Sequence, residues 1–133
     1  MSIVAGKYEF TKQENGKDFY AGVGVSAEFA EKSETTPCTL EVIVAGSKVT
    51  LNTHYTGKVN TVECQMGQEF KDKMPNGLEL DSTPSIDGNK LIIKSNKDGN
   101  YIGERVYEFT GSEVIVSISS VMTPAVCKRF YKK

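Results

Sequence analysis

Near the end of this sequence, in the run P-A-V-C-K-R-F-Y-K-K from Pro124 to Lys133, stand the two residues best suited to recognising a charged ligand, Arg129 and Tyr131. Strand alternation places Cys127, Arg129 and Tyr131 on one face and Val126, Lys128 and Phe130 on the other. From a shared face a guanidinium and a phenol converge on one oxygen anion, the first through its charge and the second through its O–H. Arginine is also scarce: the chain has fourteen lysines but only Arg105 and Arg129. Lysine therefore supplies surface charge. Arginine suits a place where a cation must stay ionised when desolvated and offer a planar fork to a carboxylate. The competing reading is that Arg129 is an ordinary surface residue of a terminal strand.

Other chemistries find little support. His54 is the single histidine, and strand alternation puts it opposite Thr53 and Tyr55, on the solvent side. No H-E-x-x-H, G-x-S-x-G or phosphate-binding loop occurs, and G-V-G-V at Gly22 to Val25 does not follow a strand as a dinucleotide fingerprint would. The expectation is a protein that is not an enzyme and needs neither cofactor nor metal. Cys38, Cys64 and Cys127 are odd in number and lack metal-ligand spacing, so they read as reduced thiols. A formal charge of −1 gives no net attraction to nucleic acid. No apolar run reaches membrane-spanning length and the start lacks a signal-peptide pattern. The expected setting is cytoplasmic, and the expected form a monomer with one domain over residues 1–133.

The elements that must hold the two arginines are mostly strands. Ala5 to Gln13 alternates, with Tyr8 and Phe10 on one face and Lys7, Glu9 and Thr11 on the other. Asn15 reads as a helix cap with Asp18 in the first turn, and Phe19, Tyr20 and Val23 then follow helical spacing to about Gly24. Ser26 caps a second short helix through about Lys32, and Pro37 ends the region. Strands follow at Leu40 to Val44, Val49 to Tyr55, Lys58 to Met66, Glu69 to Asp72, Leu78 to Ile86, Lys90 to Ser95, Tyr101 to Phe109, Val114 to Ser120 and Ala125 to Lys132. Turn signals separate them, among them Gly46, Pro75-Asn76-Gly77, Asp87-Gly88-Asn89, Asp98-Gly99-Asn100 and Thr110-Gly111. About ten strands with turns every ten residues predict an all-β antiparallel up-and-down barrel. Pro84 cannot donate to a ladder and predicts an edge, a gap or a bulge.

The inward faces carry Thr53, Asn60, Arg105, Tyr107 and Arg129 beside Val and Ile, a mixture that suits a cavity rather than a dry core. A two-residue loop at Thr110-Gly111 would pair Tyr107 with Val114, Arg105 with Val116 and Gly103 with Ile118, and Arg105 would then face inward with that apolar row. On this reading a three- or four-residue loop turns it outward.

Six features in the right order, five segments and one asparagine, give the chain a resemblance to the intracellular lipid-binding proteins, the family of cytosolic fatty-acid-binding and retinoid-binding proteins. They are G-K-Y-E-F at Gly6 with Asn15 after it, L-N-T-H-Y-T-G-K at Leu51, G-Q-E-F at Gly67, D-G-N-K-L at Asp87, and the closing A-V-C-K-R-F-Y-K. The resemblance implies a ten-stranded, lipocalin-like (calycin) barrel with a helix-turn-helix lid at about 16–33. It also implies a long-chain fatty acid bound inside and carried through the cell, its carboxylate held by Arg129 and Tyr131 together with an internal arginine. Straight counting from Gly111 puts Val106 in the family's arginine column, whereas an extra residue in the Thr110 to Glu113 turn restores Arg105. Phe19, Tyr20, Val25 and Phe29 are the expected lid contacts, and Thr53, Tyr55, Val116 and Ile118 the expected barrel contacts. Gly16 and Gly57 stand where the family has aromatic residues, which implies a wider or more mobile entrance. The turn from Val121 to Pro124 looks longer than the family's.

Alternatives remain. A retinoid or another amphipathic acid such as a bile acid fits the same residues, and a ligand-free interaction module fits the strand pattern. Lys12, Lys17 and Lys32 would give a basic patch for transient contact with anionic membranes, or they are simply solvated surface.

Overall fold

The computed structural model describes residues 3–74 and 77–133. Ten strands and two helices follow in order: β1 (Gly6–Glu14), α1 (Gly16–Gly22), α2 (Ala27–Thr35), β2 (Thr39–Ala45), β3 (Lys48–Tyr55), β4 (Lys58–Gln65), β5 (Phe70–Lys73), β6 (Glu79–Asp87), β7 (Lys90–Lys97), β8 (Asn100–Phe109), β9 (Glu113–Ser120) and β10 (Thr123–Lys132). The strands form one antiparallel sheet in the order β4-β3-β2-β1-β10-β9-β8-β7-β6-β5, a nearly closed barrel with the helices over one end. The expected turn at Pro75-Asn76-Gly77 lies partly outside the described residues.

The one junction without a ladder runs between β4 and β5, and Pro84 sits beside it. β5 pairs only with Glu79 to Ser82 of β6, so Pro84 lies beyond its reach. On its other side β6 stays in register with β7 through Pro84 and Ile93. The Pro84 carbonyl accepts a hydrogen bond of 2.9 Å from the Gly67 N–H across the junction. A strand residue turns its nitrogen and oxygen to the same edge, so the missing N–H faces the gap and no bond to β7 is lost.

The end of the barrel away from the helices is filled. Tyr8, Leu51, Leu91, Ile93, Phe109 and Val114 are almost wholly buried there, with Tyr8 edge-on to Phe109 at 6.2 Å between centroids. A second cluster ties the helices down through Phe19, Tyr20, Val23, Val25 and Ala30, which pack with Cys127 of β10. Helices of this length owe their stability to such packing rather than to propensity.

Several expectations change. Asn15 occupies the cap position of α1 in a left-handed conformation (φ 58°), and its side chain makes no capping hydrogen bond. Ser26 does cap α2, its Oγ accepting from Phe29 N–H at 3.2 Å, but the helix continues to Thr35. Four residues, Thr110 to Glu113, separate the last paired residues of β8 and β9 and close the loop, with Thr110 N–H donating to the Glu113 carbonyl at 3.0 Å. Phe109 therefore pairs with Val114, Tyr107 with Val116, Arg105 with Ile118 and Gly103 with Ser120, two residues away from the expected register. Lengthening the loop by two preserves strand parity, so a four-residue loop keeps Arg105 on the inner face and does not turn it outward. The turn after Ser120 is short, because Thr123 already pairs with Ser120. The extra length appears instead as an irregularity between Thr123 and Cys127.

Candidate functional site

Arg129 reaches the interior from β10 and is 8% exposed. Its Nε donates to Tyr131 Oη at 2.9 Å. One Nη1 hydrogen goes to Gln13 Oε1 and another to the Ser33 carbonyl at 2.8 Å, while Nη2 makes a long contact of 3.6 Å with Cys38 Sγ. The guanidinium lies over the Phe10 ring, 4.2 Å from its centroid. Every one of these partners is neutral, so among the described residues the cation is surrounded by hydrogen-bond acceptors and an aromatic face without a counter-charge. Burial pushes the Tyr131 phenol above its usual range although Arg129 pulls the other way, so the hydroxyl keeps its proton. Since its oxygen already accepts from Arg129, that O–H is left to donate to a second group.

Gln13 reaches this site because of a bulge. Phe10 pairs with Tyr131 and Lys12 with Phe130, so β1 carries one extra residue there. Thr11 and Lys12 both face solvent and Gln13 turns inward, where uninterrupted alternation would have put it outside. Its Nε2 donates to Ser33 Oγ at 3.0 Å, and Ser33 Oγ donates to the Ala30 carbonyl at 2.7 Å. Gln13 and Arg129 thereby tie the barrel wall to α2. Gly16 leaves room for this arrangement, since a Cβ built on it would stand 1.9 Å from Gln13 Nε2. Gly57, by contrast, has open space around it and a positive φ of 75° in the β3–β4 turn.

Arg105 has a different setting. Its Nη2 is ion-paired to Asp72 Oδ2, a partner 33 residues away in sequence. The sequence reading missed Asp72. Its signal was the alternation of β5, in which Phe70 and Asp72 share the less exposed face and Lys71 and Lys73 the outer one. An acidic residue on the apolar face of a strand needs an internal partner. Arg105 faces Ile118 and Arg129 faces Val116, two residues apart on β9. Strand spacing then puts the two arginine α-carbons roughly 12 Å apart.

Between the filled end and the helices lies a cavity of about 260 Å³, walled by Phe19, Tyr20 and Val23 of α1, by Asp72 to Met74, Leu80 and Ser95, by Ile102 to Arg105, and by Ile118 to Ser120. Of the expected site residues it brings together Arg105, Phe19, Tyr20 and Ile118. Arg129 and Tyr131 stand outside its wall. Tyr20, whose phenol burial pushes up to about 12, feels both Arg129 and Arg105 and so spans the two regions. Val116 is buried in the barrel core, Val25 packs within the helix cluster, and Thr53 and Tyr55 are half-buried on β3. Phe29 is 40% exposed and edge-on to Tyr20 at 5.3 Å. Asn60, expected inside, is exposed. His54 is outward as expected, 2.8 Å from Glu41 Oε1. The three cysteines are free and buried, and among the described residues no group of three His, Cys, Asp or Glu side chains could hold a metal ion.

Lys12 pairs with Glu14 at 3.3 Å and Lys32 with Glu28 at 3.0 Å. From Gly16 to Thr35 there are four carboxylates (Asp18, Glu28, Glu31, Glu34) and two lysines (Lys17, Lys32), so the helical cap is net acidic. No helix among the described residues is long and apolar enough to cross a membrane.

The fold has close counterparts among solved structures. The fatty acid-binding protein from brain tissue of Drosophila melanogaster superposes with a TM-score of 0.85 at 30% identity, over 99% of this chain and 100% of that one. The chain belongs to the intracellular lipid-binding protein family. No protein-family model matches it. Other family relatives include fatty acid-binding protein homolog 5 of Caenorhabditis elegans, 29% identical over 86% of each chain. Sodium/calcium exchanger regulatory protein 1 of Doryteuthis pealeii is 27% identical over 98% of this chain and 96% of its own. The names of these similar proteins are those of fatty acid-binding and regulatory proteins.

Proposed function

We propose that this protein binds a long-chain fatty acid inside the barrel and carries it through the cytoplasm as a monomer, with residues 1–133 forming one lipid-binding domain under a helical lid. The carboxylate docks on Arg129 and the Tyr131 hydroxyl. The observation that carries this reading is the neutral shell around Arg129: a buried guanidinium with no carboxylate beside it favours an anionic ligand, whereas Asp72 already neutralises Arg105. A ligand carboxylate replaces the weaker neutral acceptors, Gln13 Oε1 or the Ser33 carbonyl, with a charge-assisted pair. The hydrocarbon runs from there past Tyr20 into the cavity beside Arg105, so the two regions act as one site. Relatives named as fatty acid-binding proteins support the ligand class.

Apolar burial drives binding. About sixteen methylenes at ~0.8 kcal/mol each give roughly 13 kcal/mol gross, from which several kcal/mol of lost motion are subtracted, leaving micromolar affinity or better. Head-group recognition sets selectivity. Mass spectrometry of the protein purified without stripping, together with displacement of a fluorescent fatty-acid probe, tests the proposal. A fatty acid recovered near one per chain, with the probe displaced by hexadecanoate and far less by hexadecanol, is the expected result. Empty protein that ignores the probe would overturn it.

A further inference from the structure

The wall of the cavity opposite α1 is polar in an ordered way. Asp72, as the carboxylate partner of Arg105, only accepts hydrogen bonds, and this fixes the direction of the chain attached to it. Ser82 Oγ, wholly buried, donates to Asp72 Oδ2 at 3.3 Å. With that hydrogen used, the contact of 2.8 Å between Ser82 and Ser95 is made by Ser95 donating to Ser82. Ser95, 6% exposed, thus ends the chain with its oxygen lone pairs at the cavity wall and its own hydrogen turned away. The other end of the network is the Arg105 guanidinium, which holds more N–H donors than its pairing with Asp72 consumes. An acceptor and a donor, joined through one carboxylate, therefore border the same space.

There is also room beside them. Ser95 faces Gly103 across the β7–β8 ladder, and Ser95, Gly103 and Arg105 all border the cavity. The side-chain position of Gly103 is itself taken by β9, since a Cβ there would lie 2.2 Å from the Ser119 carbonyl oxygen, so the strands approach closely beside the cavity. The notch of the cavity between Ser95 and Arg105 complements one functional group better than others. A carboxylate meets the Asp72 charge, a ketone uses the donor only, and a methylene strips water from both polar groups and returns nothing. A hydroxyl donates and accepts at once.

We propose that this notch is a polar subsite for a hydroxyl carried on the chain of a bound lipid acid, the hydroxyl donating to Ser95 Oγ and accepting from Arg105. The inference rests on the fatty-acid reading and adds to it a preferred substrate class, mono-hydroxylated long-chain acids, with the position of the hydroxyl set by the separation of Arg129 from Arg105.

The test measures affinities of hexadecanoic acid and of a positional series of mono-hydroxyhexadecanoic acids for the delipidated protein and for Ser95→Ala. The expected result is one mid-chain isomer that binds about tenfold tighter than hexadecanoic acid, a ratio that falls to about one when both acids are measured on Ser95→Ala. Should no isomer exceed the parent acid in the unmodified protein, a water serves the notch and the subsite is refuted, with fatty-acid binding intact. A gain that survives in Ser95→Ala refutes it equally. Failure of every acid, hydroxylated or not, refutes instead the lipid reading on which the subsite rests.

Discussion

Arg129 and Arg105 both project from the inner face of one sheet, two strands apart, yet only one of them is neutralised. Arg129 is ringed by a phenol, an amide oxygen, a backbone carbonyl and an aromatic face. Arg105 is ion-paired to Asp72. The two cations look equivalent in sequence, but only one has electrostatic work left to do for a ligand. Net charge in the interior is set by the partner, and a barrel with two internal arginines can hold one anion and still be balanced.

The largest expected effect comes from removing the cation that lacks a counter-charge. Arg129→Gln should weaken hexadecanoate by about 100-fold, some 3 kcal/mol, and hexadecanol by less than about threefold. Arg105→Gln should weaken hexadecanoate by less than about fivefold in the same probe-displacement assay. Equal losses in the two variants would mean that the arginines share the carboxylate, and the contrast would collapse.

Next in size is the effect of unbalancing Arg105. Asp72→Asn should lower stability by about 2 kcal/mol in urea unfolding, less than for a fully dry pair because both side chains keep some solvent contact. In an Arg129→Gln background it should also restore part of the carboxylate affinity, now at Arg105. No restoration would show that Arg105 is misplaced for a head group whatever its charge.

A smaller effect separates the regions by pH. Each contains a buried thiol, Cys127 under the influence of Arg129 and Cys64 under that of Arg105 and Asp72, and burial pushes both from an ordinary 9.0 to about 11. The native state then holds protons that the unfolded chain releases above pH 9, so stability is intact below pH 9 and falls between 9 and 11. The cost is about 1 kcal/mol per thiol by pH 10. Melting temperatures of Cys64→Ala and Cys127→Ala should each show a flatter alkaline decline than the parent protein. The same slope in all three would place the alkaline sensitivity elsewhere.

The smallest effect concerns the tie from Arg129 to α2. Gln13→Ala releases one guanidinium hydrogen for a ligand and should tighten hexadecanoate about threefold, while amide exchange in α2 becomes faster. Gly16→Ala should act the same way, because its Cβ pushes the Gln13 amide aside. Weaker binding in both would make Gln13 a ligand contact rather than a competitor.

Much of this was legible beforehand because strands and turns are local. Alternation and turn residues located the ten strands, and parity kept Arg105 inside although the β8–β9 register moved by two. What escaped the sequence was long-range or irregular. Asp72 and Arg105 are brought together by barrel closure, which no local period encodes. Gln13 was hidden by a one-residue bulge that reverses the faces of β1 after Phe10. Asn15 has the right chemistry for a cap, but the chain enters α1 through a left-handed residue and leaves the side chain without that role.

The gap between β4 and β5 has a bearing on solubility. A barrel that does not close leaves two strand edges where another copy of the chain could add a strand and start a fibril. Here β5 is only four residues long and carries Lys71 and Lys73, and the neighbouring β6 presents the donorless nitrogen of Pro84 along the rest of that edge. An incoming strand meets a short, charged template with one hydrogen bond missing. Replacing Pro84 by valine would supply that donor, and the protein would then be expected to trade solubility for edge-to-edge growth, visible as thioflavin-positive aggregate on prolonged incubation.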